Sequence, residues 1–416
     1  MKEARKPSFP GAAGRRIFRV LAGYELAVIL LVVLMAATFF GTLEQKETGL
    51  YLTQKKYFDM SAIWLQPRLQ GKAVPIILPG VFWTGALLFV NLTLGGIVRA
   101  RKGWNTLGVL IAHAGILFLL AAGFVAHLEA REGSMIVYEG ERSDYAKSYH
   151  EPSIEISGIG PAGGRKAPFV VPAEAFEGLK PEATLTARLP DLPFDLVVRG
   201  FQRNAELVEA GRASIAGAHE PVVDGFFLRQ RPRETTEEMN RAGCYATVVD
   251  KEGNELRRLV LHQSPELFPT PVSVTVDGVR YELSLVREIW PMPFEIELHR
   301  SVGEYYPGTR KPRWFQSDIT RVLDGDRKDY SIVMNKPMRT EGITLYQAKW
   351  DRPQGRAFSG FAIVQNPSDQ WPKYALYVVT AGLLVHFLIR LGVFLGAREG
   401  ASSDSTNQGD VAEQSA

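Results

Sequence analysis

The chain has 416 residues, a formal net charge of +3 and one cysteine. The near-neutral charge and the lack of a basic patch with interleaved aromatic residues do not favour nucleic acid as a partner. A single cysteine excludes a disulfide within the chain, a CxxC thiol relay and a CxxCH haem-attachment site. The length allows a membrane part together with one large soluble domain.

Four windows of the sequence are strongly apolar, at 20–40, 79–98, 106–126 and 374–396. Each is about 20 residues long, which matches roughly 30 Å of bilayer hydrocarbon at 1.5 Å per residue. The first window is longer than a signal-peptide core and no clean small-residue cleavage site follows it. We therefore predict three transmembrane helices within residues 20–126 and a fourth at 374–396.

Lysine and arginine are distributed unevenly around these windows. Eleven lie in the leader 1–19, in the turn between spans two and three, and at the end of span four, whereas five lie in the loop 41–78. The positive-inside rule then places both termini in the cytoplasm and residues 127–373 outside it. The small, polar tail 397–416 is predicted to be disordered and cytoplasmic.

The segment 127–373 has the pattern of a β domain. It contains short β-branched or aromatic runs that end in turn residues, such as "SMIVYEG", "FDLVVRGF" and "YATVVD". Asp277 and Gly278 stand between two alternating runs and predict a hairpin. We expect two packed antiparallel sheets, with Cys244 as a small buried core residue. The fold class is thus an integral membrane α+β protein with its β domain between spans three and four.

Enzyme signatures are scarce. The sequence has no G-x-S-x-G, no GxxxxGK[ST], no HExxH and no paired-histidine metal spacing. His150, His219, His262 and His299 are scattered through the β region, where a surface or hydrogen-bonded histidine is the ordinary case. These features favour binding or handling of a molecule at the membrane over hydrolysis or phosphoryl transfer.

Three histidines lie in or beside the apolar windows: His113 and His127 in span three, and His386 in span four. Ionisable groups in a bilayer are costly and usually face a protein interior or a cofactor. His113 follows Trp104 by nine residues, or about 13 Å of helix, whereas His127 is about 21 Å further along. His113 and His127 therefore cannot bind one iron atom, and His127 falls at the outer surface.

Two interpretations of His113 and His386 stay open. Neutral imidazole is a good axial ligand of haem iron, and the two rings could face each other if spans three and four pack together. Alternatively, each ring hydrogen-bonds a neighbouring helix. The small residues around His113, in "AHAGILFLLAAG", suit either a close helix or a flat macrocycle. At His127 the ordinary interfacial histidine is the simpler interpretation, with a hand-off site as the alternative.

The order of three spans, a large exported domain and a final span resembles the ResB-like cytochrome c biogenesis proteins. The resemblance covers about 15–396. It rests on "FFGTLEQ", "LLFVNLTLGGIVR", "LIAHAGILFLLAAGF" and "MIVYEGE", and most strongly on "YPGTRKPRWFQSDITRVLDGDRKDYSIVMNKPMRTEGITLYQAKWD". Each motif is weak alone, but their order and spacing together are specific.

The resemblance implies a role in haem handling for cytochrome c maturation. Such proteins work with a ResC/CcsA-type partner, which carries a tryptophan-rich motif, to move haem b across the membrane for attachment to apocytochrome c. The family's haem-ligating histidine in the span before the exported domain corresponds to His113, with His386 as the alternative ligand. The seven tryptophans of this chain are scattered, so we expect at most one subunit of a haem-lyase (synthase) complex.

The resemblance also implies the cytoplasmic (inner) membrane of a bacterium, with a plastid membrane left open, and contact with membrane lipid. A second hypothesis is a haem-free assembly scaffold, in which the membrane histidines only lock helices together. A transporter is less favoured, since four spans without inverted repeats offer no evident transport path.

Overall fold

The computed structural model describes residues 12–159, 168–179, 183–211, 222–263, 271–309 and 311–413. Residues 1–11 of the predicted leader and His219 lie outside the described residues. The chain divides into two compact units. The helical unit contains residues up to 44, residues 53–130 and residues from 366 onward, and the β domain contains residues 45–52 and 131–365.

Helices account for most of the helical unit. In chain order they are α1 (Ala12–Leu21), α2 (Tyr24–Thr48), α3 (Leu50–Tyr57), α4 (Val81–Asn91), α5 (Leu107–Glu129) and α6 (Trp371–Glu413). A π-helical segment, Leu92–Val98, continues α4, and a 3₁₀ turn, Trp104–Thr106, precedes α5. Among the described residues, four helices are long and apolar enough to cross a membrane: Tyr24–Thr48, Val81–Val98, Trp104–Glu129 and Trp371–Gly396.

The four apolar helices coincide with the four predicted windows, and two local features differ from the prediction. The leader forms α1, which is separated from span one by Ala22 and Gly23. The last helix continues to Glu413 instead of giving way to a disordered tail at 397. Elongation adds one hydrogen bond per residue to a helix whose costly nucleus already exists, so an apolar span can extend into a weakly helical sequence.

The loop between spans one and two is folded around a buried carboxylate. It contains two short antiparallel pairs, formed by β1 (Trp64–Leu65), β2 (Arg68–Leu69), β3 (Lys72–Ala73) and β4 (Leu78–Pro79). Glu44, from the "GTLEQ" motif, is 3% exposed. It accepts hydrogen bonds from Lys56 Nζ at 2.7 Å, Tyr57 Oη at 3.1 Å and the Arg68 backbone nitrogen at 3.1 Å. These bonds compensate the burial of the charge.

The β domain is built from antiparallel strands. They are β5 (Arg131–Tyr138), β6 (Arg142–Ile159), β7 (Phe169–Pro172), β8 (Thr184–Ala187), β9 (Phe194–Gln202), β10 (Ala205–Glu209), β11 (Phe226–Gln230), β12 (Gly243–Asp250), β13 (Glu255–His262), β14 (Val272–Val276), β15 (Val279–Tyr305), β16 (Pro312–Leu323), β17 (Asp326–Val333), β18 (Met338–Thr340), β19 (Ile343–Asp351) and β20 (Phe358–Gln365). Within the described residues, one sheet of the domain has the order β13-β12-β9-β8. A larger one has the order β17-β16-β15-β6-β5-β20-β19-β18, with β7 and β14 attached.

The described part of the β domain has two large apolar cores and a smaller cluster around Leu228 and Tyr245, where the sequence predicts one pair of packed sheets. The first lies between the two sheets and includes Ile154, Phe194 and Leu283. The second, around Ile296 and Phe361, comes from strands of the large sheet alone. The long strands β6 and β15 pass through both cores. Their register shifts around Pro291, in a part of β15 where proline interrupts the regular ladder.

Two details of the predicted β domain are confirmed. The hairpin at Asp277 and Gly278 joins β14 to β15, and both residues have positive φ, at 51° and 76°, as its tight turn requires. Cys244 is fully buried in the first core. Burial raises the pKa of its thiol to about 12, which makes it unreactive.

Helices α5 and α6 pack with their backbones in close contact. A Cβ added at Gly108 would lie 2.4 Å from the backbone nitrogen of His386, and one at Gly382 would lie 2.5 Å from the nitrogen of Ala112. Gly115 is equally tight against Val379. Small residues at this spacing allow the close approach that stabilises helix pairs in membranes, where no hydrophobic effect drives them together.

We predict that Gly108→Leu destabilises the α5–α6 contact by at least about 1–3 kcal/mol, the usual cost of overpacking. The control is Gly123→Leu in the same helix, because no other group lies within 4 Å of a Cβ at Gly123. Thermal unfolding of the full chain in detergent measures the difference. Equal melting temperatures for the two variants would contradict the close contact.

Candidate functional site

His113 is half-buried and faces the end of span two. Its Nδ1 lies 3.1 Å from the backbone oxygen of Gly96. Gly96 belongs to the last turn of the π-helical segment, and the final carbonyls of a helix lack partners within the helix. The ring of His113 supplies that missing donor. A glycine is needed here, since a Cβ at Gly96 would lie 2.9 Å from His113 Nδ1.

This contact determines the tautomer of the ring. A carbonyl oxygen only accepts hydrogen bonds, so Nδ1 carries a proton, and in the neutral tautomer that fits this contact the lone pair is on Nε2. No hydrogen bond to Nε2 occurs among the described residues. A backbone carbonyl on Nδ1 with a free Nε2 is the arrangement by which proteins orient metal-binding imidazoles.

The contact also gives the position of His113 along the spans. Arg99 closes the π-helical segment through a bond from its nitrogen to the oxygen of Leu94, and Gly96 lies three residues before it. The ring is therefore level with the last turn of span two. The apolar helix of span three begins at Trp104, nine residues before His113, as the sequence count assumed, and Trp104 itself is 77% exposed in a 3₁₀ turn before α5.

His386, a residue of α6, packs against a different face of α5 from the face that carries His113. Its backbone packs against Gly108, five positions before His113, and five positions correspond to about 140° around a helix axis. Its ring contacts that of Phe387, and its Nδ1 is buried with no hydrogen-bond partner in the described part of the chain. Spans three and four thus pack together as the sequence suggested. The neighbours described for His113 and His386 are nevertheless different.

His127, near the end of α5, is exposed. Its ring lies 5.9 Å from that of Phe58 and 5.7 Å from that of Phe82, centroid to centroid. The structure keeps His127 away from His113, as the helical spacing predicts. Among the described residues, no group of three or more His, Cys, Asp and Glu side chains could hold a metal ion.

A polar cluster in the β domain escaped the sequence analysis. Tyr51 stacks on His150 with 4.1 Å between ring centroids and donates its hydroxyl to Glu151. The guanidinium of Arg203 lies 5.6 Å from the Tyr51 ring centroid and 2.9 Å from a Glu237 oxygen. Because an aromatic residue far upstream completes the cluster, no local motif marks it. The cluster holds the segment 45–52 on the β domain.

Electrostatics in this domain keep two histidines neutral. Burial lowers the pKa of His150 and of His262, and the latter also hydrogen-bonds the Ala205 oxygen through Nε2 at 3.0 Å. Desolvation penalises the charged ring more than neighbouring carboxylates favour it. Both rings were expected to be ordinary surface or hydrogen-bonded histidines, and His262 is of the second kind.

We predict that the β domain loses stability as the pH falls from about 7.5 towards 5.5. The pKa values of His150 and His262 in the folded state lie below the unfolded value of about 6.5. The unfolded chain therefore binds protons first, so the stabilising contribution is full well above pH 6.5, declines as the pH falls through 6.5, and levels off below the folded pKa values.

Thermal unfolding of the full chain across this pH range, followed by β-sheet circular dichroism, tests the prediction. In the double variant His150→Gln/His262→Gln, the melting temperature should fall less steeply with decreasing pH than in the parent. The control His299→Gln, at an exposed position, should fall as steeply as the parent. A decline as steep in the double variant as in the parent would contradict it.

Residues 272–373 match the family model described as the ResB-like family. The matched segment runs from β14 to the first turn of α6, and it includes the strongest stretch of the resemblance seen in the sequence. No curated protein matches the chain.

Proposed function

We propose that this ResB-like protein, whose family implies a role in cytochrome c biogenesis, carries haem b across the membrane. It would do so with a ResC/CcsA-type partner and present the haem for attachment to apocytochrome c. The observation that carries the proposal is the orientation of His113, with Nδ1 held by Gly96 and Nε2 free. In this proposal the ring is a preformed imidazole ligand beside a membrane-spanning helix.

The first role of His113 in this proposal is to bind the haem iron through Nε2. The bond from Nδ1 to the Gly96 oxygen orients the ring, so Nε2 is the nitrogen that would meet the iron. Haem here is cargo, and a single strong ligand from this chain suits a molecule that must be released. The opposite axial ligand is assigned to a histidine of the partner, because His386 packs on a different face of α5. His386, with its buried unpaired Nδ1, is the alternative.

The spans of this chain leave room for the partner. Between 6% and 17% of the residues in their most apolar windows are buried within the chain. Their remaining surfaces therefore contact lipid or another membrane protein. A partner's helices would complete the haem site by covering the side of the His113 ring that faces away from Gly96, with the β domain outside the cytoplasm to receive apocytochrome c.

The proposal is tested by His113→Ala in the complex copurified with its partner. We expect the Soret absorbance of the purified complex to fall strongly and holocytochrome c to decrease in cells. Added imidazole should restore both, because it fills the vacancy left by the side chain. The matched control is His127→Ala, an exposed position on the same helix, which should retain haem.

The rival function is a haem-free assembly scaffold. It has its own support, because the bond between His113 and Gly96 also joins span three to span two. A scaffold predicts a parent complex without haem and a lower melting temperature for His113→Ala that imidazole does not correct. Normal haem content and normal cytochrome c maturation in His113→Ala would refute the ligand role outright.

A second variant separates the ring's orientation from its presence. In Gly96→Ala the added Cβ would lie 2.9 Å from His113 Nδ1 and 2.8 Å from Leu92 Cδ1, so the ring must shift relative to the carbonyl. We expect weaker haem retention and a shifted Soret maximum, at unchanged protein abundance. Gly123→Ala, whose Cβ meets no neighbour within 4 Å, is the control. An unaltered spectrum for Gly96→Ala would show that Gly96 does not position the ligand.

A further inference from the structure

The short helix α1 has one apolar face and one arginine face. With 100° per residue, Ile17, Phe18, Val20 and Leu21 fall within an arc of about 160°. Arg15, Arg16 and Arg19 fall within about 100° on the other side, and all three are exposed. Such a helix, short and rich in arginine on its polar face, has the character of an interfacial membrane segment.

The apolar face of α1 is uncovered in the helical unit. Ile17 and Val20 are each 60% exposed, and Phe18 is 38% exposed. Leaving these side chains in water is unfavourable by roughly 25 cal/mol for each Å² of apolar surface. The face therefore requires an occupant, and the position of α1 in the chain indicates which one.

Two side chains of span two and its end, Asn91 and Arg99, stabilise the break between α1 and span one. Asn91 is 4% exposed, and its Nδ2 donates to the oxygens of Leu21 and Gly23 at 2.7 and 2.9 Å. Arg99 donates through Nη1 to the oxygen of Ala22 at 3.1 Å. These side chains satisfy the carbonyls that a terminating helix leaves open. The end of α1 is thereby fixed to span two.

The break between α1 and span one lies next to the start of span one and the end of span two. Span one starts at Tyr24, directly after the break, and span two ends at Val98, next to Arg99. Helix α1 is thus held at the boundary of the hydrocarbon, on the side of the membrane from which span one starts. Its arginines complement the negative charge of anionic phospholipid headgroups.

We propose that α1 lies in the membrane interface, with Ile17 and Val20 in the acyl region and its arginines on anionic headgroups. In this position it anchors the start of span one and, through Asn91 and Arg99, the end of span two next to Gly96. The proposal depends on the membrane spans and not on haem, so it can fail while the haem proposal stands, and the reverse.

The test uses the full chain in nanodiscs, with spin labels on single cysteines. Cys244→Ser removes a buried, unreactive thiol, and Ile17→Cys and Arg19→Cys place labels on opposite faces of α1. In bilayers containing anionic lipid, we expect the label at 17 to collide mainly with oxygen, which concentrates in the acyl region. The label at 19 should collide mainly with a water-soluble nickel complex.

Three other outcomes would each overturn a stated part of the proposal. Nickel access at both positions would place α1 in water, and access of neither reagent at 17 would mean that protein covers the apolar face. In the parent, the depth of the label at 17 is expected to increase with the fraction of anionic lipid. In Arg15→Gln/Arg16→Gln/Arg19→Gln carrying the same label, that increase should disappear. A parent depth that is independent of anionic lipid would refute the headgroup contact.

Discussion

A hydrogen bond between the ring of His113 and the carbonyl of Gly96 is the interaction on which the proposed site depends. In the proposed membrane setting, hydrocarbon offers no water, so a polar group must find a partner within the protein. The end of span two has an open carbonyl, and span three carries an imidazole with a proton to donate. One bond satisfies both groups and leaves Nε2 without a hydrogen bond among the described residues.

The surrounding helices hold this pair in place. Gly108 and Gly382 let α5 and α6 approach with their backbones in contact, which fixes the rotation of α5 and hence the direction of His113. On the other side, Asn91 and Arg99 tie the end of span two to the start of span one. The haem ligand proposed here is therefore supported on one side by α6 and on the other by the bonds that join the end of span two to the residues just before span one.

Hydropathy and alternation predicted the four spans, the β domain and the hairpin at Asp277, because those features follow from local patterns. The contact between His113 and Gly96 could not be predicted from the sequence. Every helix ends in carbonyls without partners, and only the packing of the helices determines which of them meets the histidine. The same holds for Tyr51 on His150, which joins residues a hundred positions apart. The second core of the β domain was missed because strand length, not strand pattern, lets β15 span both cores.

The central claim is the tautomer of His113, and ¹⁵N magic-angle-spinning NMR of the histidine-labelled protein in lipid measures it directly. His113→Ala identifies the resonances. The account predicts a neutral ring with its proton on Nδ1 in the haem-free chain, and a change at Nε2 when haem is added with the partner. A ring protonated on Nε2, or one whose Nε2 resonance is unaffected by haem, would contradict it.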